Sequence, residues 1–165
     1  MHQDSPGCMG GDDGQAAPLP ADPSGVDPSA ERRLQQLLTD LARAADLCLR
    51  PWRHSLRFSA LTPAEPDRVD RLLSEATLLI EVRDGDGVRH PSRDLELEIY
   101  RSAERFNLIL SQHLDPDAPM LWYGSHPVWM AATDGLRCER PDDGVVLESF
   151  CRRVWALLAT EILAD

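Results

Sequence analysis

The chain has 165 residues, 42% of them apolar and 5% aromatic, a balance that fits one globular domain with its own core. Its 28 acidic and 17 basic residues leave a net charge of −11, and every basic residue is arginine. That charge opposes a nucleic-acid backbone and suits a basic protein partner, and the lack of any apolar run near about 18 residues excludes a membrane-spanning helix.

Residues 1–27 hold Pro, Gly, Ser and five aspartates with no arginine. Too little apolar surface is available there to offset ordering, so the segment reads as a disordered acidic tail. It lacks a basic stretch followed by an apolar one, so a cytoplasmic protein is expected. Residues 28–165 then form a single α+β domain.

A first helix is predicted from Pro28 to Arg50. Asp27 is its N-cap, and Pro28 takes the first position, where a missing N–H costs nothing. Leu34, Leu37, Leu38, Leu41, Ala45 and Cys48 make one apolar stripe. Pro51 ends the run. Trp52 to Ala60 alternates as a strand, with His54 on the apolar register. LTPAEPDRVDRLLSEA carries a capping box in Thr62 and Glu65 and predicts a short helix over 62–76, its buried face made by Val69, Leu72, Leu73 and Ala76.

Thr77 to Arg83 reads as a strand, and Asp84-Gly85-Asp86-Gly87 as a hairpin turn. Pro91 cannot donate to a ladder and marks a bulge or edge segment. The next stretch organises the sheet. Leu95, Leu97 and Ile99 alternate with Glu96, Glu98 and Tyr100; after a turn, Phe106, Leu108 and Leu110 alternate with Asn107, Ile109 and Ser111. For both apolar trios to share a face, paired residue numbers must sum to an odd value. An even loop around Ala103 and Glu104 sets Ile99 against Leu108 and Leu97 against Leu110. Met120–Tyr123 and Val128–Ala131 are short strands. A final helix runs from Val145 to Leu163, with a stripe of Leu147, Phe150, Cys151, Val154, Leu158 and Ile162. Trp155 and Leu157 widen its apolar arc toward the first helix or a second subunit.

The fold class is therefore α+β: an antiparallel sheet of five to six strands with the N- and C-terminal helices on one face. The other face is expected to be polar, carrying Glu81, Glu96, Glu98, Tyr100 and Asn107.

No catalytic or cofactor signature stands out. The five histidines and four cysteines show no HExxH or CxxC spacing, so neither metal nor cofactor is expected. Cys48 and Cys151 lie on apolar helix stripes, as reduced cysteines do. Ser125 precedes His126 in YGSHP, but an adjacent pair is not a triad and G-x-S-x-G is absent. Arg50, Trp52, Arg53, Arg57 and Phe58 interleave basic and aromatic residues without the continuous stripe of a nucleic-acid footprint. The densest local feature is Trp122, Tyr123, His126 and Trp129 around one turn. Aromatic rings of this kind anchor protein interfaces.

The order of helix, antiparallel sheet and helix in an acidic chain looks like the small acidic chaperones of bacterial secretion systems; the extra short helix departs from their order. That resemblance implies a dimer. The expected function is a non-enzymatic adaptor, assembly factor or chaperone-like protein. It would capture a basic protein partner through Trp122, Tyr123, His126, Trp129, Glu96 and Glu98, with a homodimer formed through the C-terminal helix. The alternative is a small cytosolic hydrolase, lyase or ligand-binding domain using His54, Ser125, His126 and the sheet-face glutamates.

Overall fold

Asp27 starts helix α1 (Pro28–Cys48) by accepting from the Ser29 backbone N–H at 2.9 Å and the Ser29 hydroxyl at 2.7 Å. The computed structural model describes residues 17, 27–59, 72, 74–103 and 105–163. The expected tail lies outside these apart from Ala17 and Asp27, as does most of the short helix expected over 62–76. Leu72 and Ser74 are helical, and the following strand claims Glu75 and Ala76, two residues earlier than the sequence pattern suggested.

Six strands follow in a simple meander: β1 (Arg53–Phe58), β2 (Glu75–Arg83), β3 (Leu95–Ser102), β4 (Arg105–Gln112), β5 (Met120–Tyr123) and β6 (Pro127–Met130). Each pairs antiparallel with the next, so the sheet order is the chain order. Helix α2 (Gly144–Leu163) closes the domain. Both helices pack on one face. Leu34, Leu37 and Leu41 of α1 and Phe150, Val154 and Leu158 of α2 join one core with the inward residues of the strands. Arg33 ties the helices together by donating from Nε to Glu161 Oε2 at 3.0 Å.

The central hairpin has the register that parity demands, with Leu97 opposite Leu110 and Ile99 opposite Leu108. Ser102 pairs with Arg105, leaving a two-residue loop, and Ala103 adopts a φ of 56°. Such loops need left-handed backbone, which Gly or Asn supplies more cheaply than Ala.

The link from β2 to β3 differs from a plain hairpin. Asp84 Oδ1 accepts from the N–H groups of Asp86 and Val88, closing the turn, and Gly87 takes a φ of 84°. The expected bulge at Pro91 is a 3-10 turn, Pro91–Arg93. That turn carries the backbone out of the ladder, and the Asp94 side chain takes over the missing acceptor: its Oδ1 receives the Val82 N–H at 2.9 Å. Arg89 then clamps both Asp94 oxygens, 2.7 Å each, and also donates to the Val82 carbonyl. Asp94 is the buried charged side chain among the described residues, and this fork satisfies it.

Candidate functional site

Alternation sorts the strand residues into two faces. The helix-covered face takes Leu95, Leu97, Ile99, Leu108, Leu121 and Trp129, all buried. The opposite face is bare of any described element, and it is not uniformly polar as expected. Its register runs Thr77, Glu98, Ile109, Trp122 and Val128 across five strands. Met120 pairs with Met130 beside that row. Ile109, Met120, Trp122, Val128 and Met130 thus form an apolar strip across β4 to β6, flanked on β4 by Asn107 and Ser111, and most of the charges lie on β1 to β3.

The turn between β5 and β6 does not present its aromatic residues together. Tyr123 and Trp129 point into the core and are buried; Trp129 Nε1 donates to Glu148 Oε1 on α2 at 2.9 Å. His126 and Ser125 sit exposed in the turn. Trp122 alone of the rings lies on the open face, half-buried. Its Nε1 donates to the Tyr100 hydroxyl at 2.9 Å, so the indole spans β4 to reach β3. Gly124 makes room for it: a Cβ there would stand 3.1 Å from the Trp122 ring and 2.9 Å from Asn107 Oδ1.

The three glutamates expected to act as one cluster have different surroundings. Glu81 sits among Arg57 at 3.1 Å, Arg83 at 3.6 Å and Arg89 at 3.9 Å. The hydrogen bond from Arg57, opposed by burial and aided by the neighbouring guanidinium charges, holds its carboxyl below the usual range. Glu96 Oε2 lies 3.1 Å from His113 Nδ1. Glu98 has no ion pair or hydrogen bond among the described residues, and it borders Ile109 in the apolar row. Glu98, like the exposed Glu75 further along the same face, is therefore a carboxylate without an ion pair among the described residues, and it is the one that borders the apolar row.

His54 has a partner that sequence reasoning missed. Asp46, in the last turn of α1, accepts the His54 backbone N–H at 2.8 Å and lies 2.9 Å from Nδ1. A helix end meeting a strand start has no periodic signature, so nothing in the sequence pattern pointed to Asp46. The His54 side chain is 1% exposed and lines a pocket of about 220 Å³ at the end of the sheet. Arg50, Trp52 and Arg93 share that lining. Arg93 stacks on the Trp52 ring, 4.4 Å from its centroid. His90 meets the same ring edge-on, with centroids 4.9 Å apart. The sequence signal here was the Arg50-to-Phe58 interleaving, part of which the fold turns into a pocket wall. Ser125 and His126 are at the opposite edge of the sheet, roughly 24 Å from β1 by strand spacing, so the structure does not unite them with His54.

No group of three or more metal-ligating side chains occurs among the described residues. Cys48, Cys138 and Cys151 are free thiols. Burial, with the nearby Glu148 carboxylate, pushes the Cys151 thiol up to about 12, so it packs as an apolar group. No helix of the described residues is long and apolar enough to cross a membrane.

Neither the curated proteins nor the solved structures contain a match to this chain. A family model described as a domain of unknown function, DUF8659, matches residues 38–157, from within α1 to within α2 and including all six strands. That span is well over half of the 165 residues, and the chain belongs to the DUF8659 family.

Proposed function

We propose that the domain is a non-enzymatic binding module of adaptor or chaperone type, and that the open sheet face receives an apolar polypeptide segment bearing arginine or lysine. The observation that carries this reading is the row Glu98, Ile109, Trp122, Val128. One unpaired carboxylate and three apolar side chains stand in line on a face that no described element covers. A half-buried tryptophan tied by a hydrogen bond to Tyr100 is a rigid anchor, and it loses little entropy on contact. The charge of the chain adds long-range attraction for a basic segment. Glu96 and Glu98 keep their place in this reading, as does Trp122. Tyr123 and Trp129 support it from the core, and His126 lies at its rim.

Self-association through α2 belongs to the same proposal. Trp155 remains 37% exposed, and Leu47 of α1 and Leu157 of α2 line a groove of about 330 Å³ between the helices. Sedimentation of the full chain and of Trp155→Glu measures it.

The test of the open face is site-directed photo-crosslinking in the native host. A crosslinking residue at Val128 should give a discrete protein adduct joined through a basic, apolar segment. The same residue at exposed Val145 should not. Equal adducts at both positions, or none at Val128, would count against the reading.

A further inference from the structure

We propose that the pocket between the end of α1, the start of β1 and the start of α2 binds a small organic carboxylate with an apolar body and a hydroxyl group. This site is separate from the open sheet face and does not depend on it.

Three features support the assignment. First, Arg50 and Arg93 line the pocket and neither forms an ion pair among the described residues. Arg93 is instead fixed by stacking on Trp52, 4.4 Å from the ring centroid, which leaves its N–H groups undirected toward any carboxylate of the chain. Asp143, at the entry to α2, is the one acid among the described lining residues, so this wall is net positive in a chain of net charge −11. A planar guanidinium fork suits a carboxylate.

Second, His54 presents one nitrogen to the pocket. The Asp46 carboxylate accepts at 2.9 Å from Nδ1, which places the ring hydrogen there. Nε2 has no partner. That leaves Nε2 as the ring nitrogen available to the pocket that His54 lines, through a side chain 1% exposed. It stands there as an acceptor for a ligand hydroxyl.

Third, apart from Gln112 the rest of the described wall is apolar: Trp52, Leu49, Val82, Leu95, Val146 and Leu147. The volume of about 220 Å³ has room for roughly seven waters, or for one compact organic acid that displaces them. A bare inorganic anion would leave that apolar wall unused.

The experiment is a titration of the full chain with mandelate, phenylacetate and inorganic phosphate, read by nuclear magnetic resonance at the His54 ring and the Trp52 indole. Mandelate should bind saturably, phenylacetate several-fold more weakly, and phosphate more weakly than either. Each arginine would supply charge-assisted hydrogen bonds to the carboxylate, so R50Q and R93Q should each weaken mandelate by about tenfold or more. Both arginines are exposed, and these variants should fold. R153Q, on α2 outside this pocket, serves as the control and should change nothing. The assignment is overturned if mandelate fails to bind, if phosphate binds more tightly, or if R153Q weakens binding as much as R93Q. Equal affinity for mandelate and phenylacetate overturns the role given to His54 Nε2.

Discussion

The indole of Trp122 reaches across the open face to donate to the Tyr100 hydroxyl at 2.9 Å, although the two residues belong to strands separated by β4. This bond sets the shape of the proposed docking strip. Trp122→Phe and Tyr100→Phe each remove one partner and keep most of the ring area. Each is expected to cost about 1 kcal/mol in urea unfolding, and the double variant about the same as one single. Additive losses would show that the bond does not hold the ring.

Gly124→Ala is expected to lower stability by about 1–2 kcal/mol, because the new Cβ presses on the Trp122 ring at 3.1 Å and on Asn107. The φ of Gly124 is not the constraint here; the ring beside it is. A shifted Trp122 indole N–H resonance should accompany the loss.

Ala103→Gly should raise stability by about 0.5–1 kcal/mol. Ala103 holds a left-handed φ of 56° in a two-residue loop, which glycine adopts without the Cβ clash. Thermal unfolding reads the gain. A lower melting temperature would mean that the entropy glycine adds to the unfolded chain outweighs the strain relieved.

Asp94 should dominate the acid limb of stability. Burial pushes its carboxyl up, but the fork from Arg89, the Val82 N–H and the nearby charges of Arg89 and His113 together outweigh this and hold it low. Asp94 and Arg89 agree in sign, since the same contact raises Arg89. A lowered folded-state value means that the stabilisation is present above the unfolded value of about 3.9 and is lost as pH falls through the folded value. Asp94→Asn should cost about 2 kcal/mol at neutral pH and flatten the decline below about pH 4. Arg89→Ala should cost more, about 3 kcal/mol, because it strands a buried charge. An unchanged acid limb in the Asp94→Asn variant would place the pH dependence elsewhere, with Glu81 the next candidate.

The strands were legible because a period of two leaves little choice once one face must be apolar. Parity together with an even loop around Ala103 and Glu104 aligns Ile99 with Leu108, as the register has it. The same rule could have sorted the aromatic turn. Leu121, Tyr123 and Trp129 share odd numbers and the core, whereas Trp122, Val128 and Met130 share even numbers and the open side. Reading that stretch as one cluster passed over its alternation. Asp94 and Asp46 were not legible for another reason. Asp94 lies in a polar segment just before β3 and Asp46 in the last turn of α1, places where local pattern predicts solvent. Their roles come from tertiary contacts, a ladder bond for Val82 in one case and the ring of His54 in the other. The alternation of β3 alone shows a polar open face in Glu96 and Glu98; the Ile109, Trp122 and Val128 that make it partly apolar come from other strands, set beside Glu98 by register.

The most direct measurement takes the segment crosslinked at Val128, prepares it as a peptide, and compares its Kd for the native chain and for Glu98→Arg. Glu98 is half-exposed and unpaired, so the reversal should leave the fold intact while setting a cation against a cation. The expected result is a loss of affinity of about tenfold or more that shrinks as salt is raised. An unchanged Kd would contradict the proposal that the open sheet face is where this domain meets its partner.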